Sequence, residues 1–597
     1  MVWQREDRFA YENFLEKHRI ILVFFILLFV CLSAKLFYLQ IIKGNKYKAI
    51  SEQQILHNTN ERAPRGIIYS SDNDILVDNE FAYIALYYPP DGHKKISEEI
   101  LKDIEHMLGR EIKPKTDKSN KYGEVLKLAD NLTKEEMFKI REQSIRLKGV
   151  SVAREPRRVY PLAEASGHIT GYTSEINLEE LEELSEQGYN PGDYIGRCGI
   201  EQTYDTYLQG KNGGWQVEVN ARGYRVKAAK YIAPEIGASI YSTINTKLQR
   251  TAYDALENSD TGKGAAVVLN TRTGAVLALV SCPGFDTNKI RYKEFDKYFK
   301  DKNLPLFNRA LQALYPPGSI FKVITFAAAV EVLDINPLEK VLCTGKFELG
   351  DRFYTCWYKH GHGMLDLIHA TAQSCNIYFY QLGLKLGVKN LEQYSKKFYL
   401  GRKTGIDLPN EKSGFVPNPE WKKSKQKMKW LQGDTVIFAI GQGGLWVTPL
   451  QMAYMMSLIA NKGVCNKPYS VERIVDVNGE ELYRHKHEGE EKIELSERTW
   501  SLLHTALLKT VDYGTGKRCK LKDIKVAGKT GTAQNPHGKD HAWFISYAPA
   551  DNPEIALAVI VEHGGGGGIN AVPIGRKIYE AYFNINPDIE DNKESAR

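Results

Sequence analysis

The chain is 597 residues long, with 43% hydrophobic and 26% charged residues and a net charge of +7. That length is too great for one core and suggests about three or four domains of ordinary globular composition. The mild basic balance, with no nucleic-acid-binding motif, excludes nucleic acid as a partner. Eight cysteines in so long a chain exclude a disulfide framework.

Met1–Arg19 is polar and mixed in charge. Ile20–Ala34 is then continuously apolar, and after Lys35 the apolar character resumes from Leu36 to Ile42. Such a length spans a bilayer, with Lys35 snorkelling near one end, so 20–42 reads as a single transmembrane anchor. A buried core helix would need chain before it to fold around it, and no small-x-small site follows for cleavage as a signal peptide. Phe29-Val30 before Cys31 is a poor lipoprotein signal. Arg5, Arg8, Lys17 and Arg19 on one flank match Lys35, Lys43, Lys46 and Lys48 on the other, so charge leaves the orientation open.

Residues 43–234 alternate Lys/Glu-rich helical patterns (Ile96–Leu108, Leu132–Leu147) with short strand-like pieces such as Ala82–Tyr88. Three clusters stand out: Arg62-Ala63-Pro64-Arg65-Gly66-Ile67-Ile68, Arg158-Val159-Tyr160-Pro161, and Gly196-Arg197-Cys198-Gly199-Ile200-Glu201. None holds a nucleophile with a partner base, so this stretch reads as an elongated pedestal. A second domain is expected over 235–585, followed by a short tail, 586–597. Ala265–Leu269 and Ala275–Val280 flank Asn270-Thr271-Arg272-Thr273-Gly274, which signals a β-hairpin. Ile524–Gln534, Ala542–Ala548 and Ile555–Glu562 predict an antiparallel meander, and Ala571–Phe583 a closing helix. Between the strand groups, Ile320–Gln451 is expected to be mainly helical. The resulting fold class is α+β, with an antiparallel sheet flanked by helices.

The helical insert opens with Tyr315-Pro316-Pro317-Gly318-Ser319-Ile320-Phe321-Lys322 and an apolar run to Val330. Pro317 suits a first helical turn, and Ser319 and Lys322 then share one helix face. A lysine pushed towards neutrality in an apolar wall can take the serine proton. Downstream lie Ser374-Cys375-Asn376 and Lys529-Thr530-Gly531-Thr532. Each element is common alone, but the order Ser-x-x-Lys, Ser-x-Asn, Lys-Thr-Gly is specific. Ser374 and Asn376 are placed to relay the proton and hold a substrate amide, and Lys529 to lower the pKa of Lys322 by its charge. Gly531 would admit substrate backbone along a strand edge, and Thr530 and Thr532 would bind a terminal carboxylate. The N–H groups of Ser319 and Thr532 would form an oxyanion hole.

With these motifs the chain resembles the class B penicillin-binding proteins over nearly its whole length. Arg62–Ile68, Tyr160-Pro161 and Gly199-Ile200-Glu201 resemble the family's pedestal. Asn308-Arg309-Ala310, Gly441-Gln442-Gly443, Thr448–Gln451 and Lys529–Ala533 resemble its transpeptidase domain, and His541-Ala542-Trp543-Phe544 its elongation branch. The resemblance departs at Thr243-Ile244-Asn245, where an aspartate is usual in the last place.

The resemblance implies a serine β-lactamase-like catalytic fold and a peptidoglycan D,D-transpeptidase that needs no cofactor for catalysis. Ser319 would attack stem peptides and be acylated by β-lactams. The chain would sit in the cytoplasmic membrane by one span, with 1–19 inside and the catalytic domain on the extracytoplasmic side. Its partners would be the elongation complex and the SEDS glycosyltransferase RodA. A β-lactamase or β-lactam sensor shares the three motifs, and a scaffold that activates the glycosyltransferase is the non-enzymatic alternative.

Cys343, Cys356, His362 and Cys375 have twelve, five and twelve residues between them. Three thiols and an imidazole suit a structural tetrahedral zinc ion. A Cys343–Cys356 disulfide or unlinked thiols are the alternatives, with His360 and His369 as other possible ligands.

Overall fold

The computed structural model describes residues 22–23, 26–43, 56–58, 61–88, 96–116, 126–184, 187–189, 192–219, 225–290, 295–487 and 491–585. The expected N-terminal segment 1–19, the tail 586–597 and residues 20, 21, 24 and 25 of the expected anchor lie outside these. A helix over 26–37 runs into a π-helical turn, Tyr38–Ile42, and its apolar side chains are exposed. Among the described residues no helix is long and apolar enough to cross a membrane.

The chain divides into two compact units: Met1–Arg62, Tyr83–Glu155 and Asn212–Pro234 in one, and Ala63–Ala82, Pro156–Lys211 and Glu235–Arg597 in the other. The stretch 43–234 read as a pedestal thus contributes to both. In the first unit the helices Glu98–Leu108 and Lys134–Glu142 start where the sequence encodes caps. Ser97 accepts from the Ile100 N–H, and Thr133 forms a reciprocal capping box with Glu136. Ile104, Leu108 and Ile140 turn inward to a small core with Leu128.

The larger unit is built on an antiparallel sheet. Its strands, among the described residues, are β1 (Gly264–Asn270), β2 (Val276–Cys282), β3 (Ala527–Ala533), β4 (His541–Ala548) and β5 (Ile555–Val561), in the order β2-β1-β5-β4-β3. Chain ends far apart in sequence meet at the centre, where β1 pairs with β5 from Gly264–Val561 to Asn270–Ile555. The β1–β2 turn is fixed by the Asn270 side chain, which accepts from the N–H groups of Arg272 and Thr273. Helices α1 (Thr246–Glu257), α2 (Lys322–Leu333), α3 (Asn376–Lys397), α4 (Pro449–Ala460), α5 (Glu497–Asp512) and α6 (Val572–Tyr582) surround it. α1 and α6 pack on each other and on the sheet, and α4 packs on β5, β1 and β4. Every residue of β5 is buried, so both faces are covered. α2 is buried on all sides from Lys322 to Val330, as its unbroken apolar run requires.

Asn245, where the resemblance departs, caps α1 by accepting from the Leu248 N–H at 2.9 Å. Asparagine caps as well as aspartate, so the departure keeps the helix start. The expected mainly helical insert also carries two small antiparallel pairs, Val341–Cys343 with Gly363–Leu365 and Lys346–Leu349 with Arg352–Thr355. These strands are too short to display a period of two, and the residues they position are Cys343 and Cys356.

Within the larger unit the three pedestal clusters converge. Glu201 is fully buried and accepts from Arg65 Nε at 3.1 Å and Arg158 Nε at 2.8 Å, while Arg65 also pairs with Asp205. Burial pushes the Glu201 carboxyl up, but Arg158 and Arg65 outweigh it and hold it below the usual range. Glu201→Ala would strand two buried guanidinium groups and is expected to cost about 3–5 kcal/mol. The urea midpoint of the full chain measures this, and an unchanged midpoint would remove the cluster from the stability account.

Candidate active site

Pro317 ends the approach from Tyr315, and Gly318–Phe321 forms a 3₁₀ turn leading into α2. The expectation of an α-helical first turn is corrected. Ser319 lies on this turn, three residues before Lys322 at the start of α2. Gly318 has φ +58°, and a Cβ there would lie 2.5 Å from the Thr532 carbonyl. The Gly318–Phe321 turn and β3 therefore touch backbone to backbone, next to the expected oxyanion donors Ser319 and Thr532. Ser319 is half-buried and Lys322 has no exposed surface.

The Ser374 hydroxyl lies between two lysines. Lys322 Nζ is 3.3 Å from Ser374 Oγ, 2.8 Å from the Ser374 carbonyl and 2.7 Å from Asn376 Oδ1. Lys529 Nζ, also fully buried, is 2.9 Å from the same Oγ and 2.8 Å from the Thr530 carbonyl. Burial lowers Lys322 to about 8. Burial also drives Lys529 well below its ordinary value, and the charge of Lys322 adds to this. Of the two expected causes, the apolar wall is the one found: desolvation, not the charge of Lys529, frees the Lys322 lone pair, because α2 and β3 leave neither head any water. Two ammonium groups around one oxygen titrate as a pair, and burial favours fewer than two protons.

Ser374 (φ +54°) sits in the turn between the helix Leu367–Ala372 and α3. Asn376 is held from three sides: its Oδ1 takes Lys322, its Nδ2 donates to the Thr355 carbonyl at 3.3 Å, and its N–H donates to Cys356 Sγ at 3.4 Å. Trp357 Nε1 donates to the Gln373 carbonyl at 3.0 Å, one residue before Ser374. The donor atoms of Cys343, Cys356, His362 and Cys375 lie within 4.8 Å of one another, with His362 Nδ1 at 3.5 Å from two of the sulfurs. The Cys375 thiol donates to Cys356, pulling Cys356 down and pushing Cys375 up, and His362 lowers Cys356 further. All eight cysteines are free thiols, so the disulfide alternative is not formed. His369 instead faces solvent and pairs with Asp366 at 2.8 Å, and His360 stays outside the cluster. Four S and N donors at this spacing suit a tetrahedral metal ion with no open position.

β3 is the sheet edge, and along it Thr532 is exposed while Thr530 is buried with its hydroxyl on Thr515. Gly531 has a tertiary reason: a Cβ would meet Ile320 at 2.9 Å and Trp543 at 3.0 Å, so it is the close packing of the nucleophile turn that demands glycine. Sequence reasoning missed Thr515, whose one signal is the Gly514-Thr515-Gly516 turn after α5. It also missed the supports of the approach loop. Tyr315 donates to Glu562 at 2.6 Å, Arg309 holds the same oxygen at 3.1 Å, and Trp543 Nε1 donates to the Pro316 carbonyl at 3.1 Å. No local pattern joins residues so far apart.

Residues 264–580 match the family of the penicillin binding protein transpeptidase domain, and residues 60–242 that of the penicillin-binding protein dimerisation domain. The peptidoglycan D,D-transpeptidase MrdA of Escherichia coli strain K12 is 31% identical over 569 residues, spanning 90% of this chain and 89% of the relative. A complex between a penicillin-binding protein (PBP2) and MreC from Helicobacter pylori is similar at a TM-score of 0.75 and 26% identity, covering 89% of this chain and 100% of that one. A peptidoglycan synthase complex, described as coordinating polymerization and crosslinking, includes a chain similar at a TM-score of 0.71 and 29% identity, over 96% of this chain and 99% of that one.

A lysine lowered by burial is a base only above its pKa. Acylation of Ser319 by a fluorescent penicillin is therefore expected to speed up as pH rises through about 8 and then level off. A rate that stays flat between about pH 6 and about pH 10 would remove Lys322 as the base.

Proposed function

The chain belongs to the penicillin-binding protein transpeptidase family, and from that we propose that it is a peptidoglycan D,D-transpeptidase of cell elongation. The observation that carries this reading is the Ser374 oxygen shared by two dehydrated lysines, one of them three residues after Ser319. Neutral Lys322 takes the Ser319 proton as Oγ attacks the penultimate D-Ala carbonyl of a stem peptide. The backbone N–H groups of Ser319 and Thr532 receive the developing oxyanion. Ser374 passes the proton to the departing terminal D-Ala amine, which leaves an ester on Ser319. An amine of a neighbouring stem attacks that ester and forms the cross-link as the bond to Ser319 Oγ breaks, and the proton it loses passes through Ser374 and Lys322 back to Ser319. A β-lactam opens on the same serine and leaves a slow ester. Exposed Thr532 is placed to receive the substrate carboxylate, with Thr530 braced by Thr515 behind it.

Residues 20–42 act as the single membrane span, with 1–19 cytoplasmic, 43–234 as pedestal and 235–585 as catalytic domain outside the cytoplasmic membrane. The exposed apolar side chains of 26–42, such as Phe29, Ile41 and Ile42, support this, since water is a poor solvent for such a surface. MreC and a polymerase of the RodA type are the expected partners, by analogy with the two structurally similar complexes. Scaffolding of that polymerase accompanies the chemistry.

We infer that Cys343, Cys356, His362 and Cys375 would hold a structural zinc ion, which would supply no chemistry to acyl transfer. Its effect is on Asn376 and Ser374, because Cys356 receives the Asn376 N–H and Cys375 stands between the two motif residues.

Ser319→Ala is expected to abolish covalent penicillin labelling at an unchanged melting temperature, and retained labelling would overturn the assignment. Rapid loss of label from the natural protein would move it to a β-lactamase. Protein purified without chelator should carry about one zinc per chain, falling sharply in Cys356→Ser; a small fraction of an equivalent in the natural protein would refute the metal.

A further inference from the structure

Away from Ser319, the larger unit encloses a cavity of about 240 Å³ lined by His168, Tyr172 and Arg197 on one side and Phe285, Phe299, Asn308, Gln312 and Asn410 on the other. That is smaller than the roughly 300 Å³ at which drug-sized sites begin, and leaves room for a single ring.

Its polar lining is unsaturated. His168 is 6% exposed, and its Nε2 has no partner among the described residues. Its other nitrogen bonds the Pro305 backbone, so Nε2 offers a lone pair, and burial with Arg309 nearby keeps the ring neutral. A buried orphan acceptor costs free energy unless something donates to it. Gln312 accepts from the Asn308 N–H through Oε1, and Asn308 Oδ1 accepts from Ala310 and Leu311. Among the described residues both side-chain NH₂ groups are left over, and the Asn410 amide adds a donor and an acceptor.

The fixed charge in this lining is already neutralised, because Arg197 is paired with Glu180 and also donates to Ser174 and the Glu175 carbonyl. A phosphate or carboxylate would find no free cation here. The remaining surface is aromatic: Phe285 packs edge-on against His168 and Tyr172, and Phe299, 65% exposed, leans on Phe295. Carboxamides, a neutral imidazole and aromatic faces without net charge suit a neutral ring with hydroxyl and amide groups on its edge and C–H groups on its face.

We propose that this cavity is a saccharide subsite that takes one N-acetylated hexosamine ring of a glycan strand. Gln312, Asn308 and Asn410 meet the hydroxyl and acetamido groups, His168 Nε2 accepts from a ring hydroxyl, and Phe299 stacks on the pyranose face. Naming the strand as the glycan of the cross-linked polymer rests on the transpeptidase reading. The cavity would then hold the strand while its stem peptide reaches Ser319.

The test uses the full chain in detergent, with a β-1,4-linked N-acetylglucosamine tetramer and with peptide-free glycan strands, read by saturation-transfer NMR. Both probes are expected to bind, and Phe299→Ala and Gln312→Leu each to weaken binding about tenfold or more, with melting curves reporting that the variants fold. Binding of neither probe, or binding that survives both substitutions, would overturn the subsite, and so would binding of the free monosaccharide alone. Penicillin labelling of the same natural preparation separates the two readings. Label without sugar binding refutes the subsite only, whereas absence of label refutes the transpeptidase.

Discussion

Two lysine heads with no exposed surface converge on one serine oxygen, and much of the catalytic unit is arranged so that this is tolerable. Burying an ammonium group costs several kcal/mol unless hydrogen bonds replace its water. Here the Ser374 and Thr530 carbonyls and the Asn376 amide oxygen do so. Each partner is set by a different element: an apolar helix carries Lys322, a left-handed turn carries Ser374, and the sheet edge carries Lys529. The same dehydration that makes the arrangement costly leaves Lys322 basic near neutral pH. Stability and reactivity therefore draw on one feature.

The Cys/His cluster belongs to the same logic. It lies behind the turn that presents Ser374 and Asn376, and touches it through the Asn376 N–H and the Cys375 backbone. A turn with a positive-φ serine has little intrinsic preference for its shape, so what surrounds it must hold it. Trp357, Thr355 and the four donors supply that hold without entering the reaction. The Arg65–Glu201–Arg158 cluster is a second buried charge arrangement with the opposite character. Its charges are paired, so it holds backbone segments together.

Much was legible from residues alone, but unevenly. The hairpin, the meander, the closing helix and the long apolar α2 were readable because periodicity and turn residues are local signals. The three motifs were readable because their order is improbable by chance. Less accessible were reasons that lie across the fold. Gly531 was read as an opening for substrate backbone, yet it answers to Ile320 and Trp543. Lys322 was expected to be tuned by an apolar wall and by the charge of Lys529, and it is the burial that tunes it. Asn245 looked like a departure and serves as an ordinary helix cap. For Gly531 the residue was identified and its cause was not, because the cause is a pair of neighbours distant in sequence.

By itself, the sequence determined which residues are available for chemistry, in what order, and on what kind of element: a nucleophile three residues before a lysine, a Ser-x-Asn turn and a Lys-Thr-Gly strand. It also showed that one thiol of a three-cysteine, one-histidine set is the middle residue of the Ser-x-Asn motif. Only the tertiary structure decided that Ser319 lies on a 3₁₀ turn, and that both lysines lose their water. It alone brought the three pedestal clusters onto one carboxylate, Thr515 onto Thr530, and Glu562 under the approach loop. Local patterns follow from the backbone period and from capping, which act over a few residues. Desolvation and long-range hydrogen bonding depend on which surfaces meet, and that is settled only when the whole chain packs.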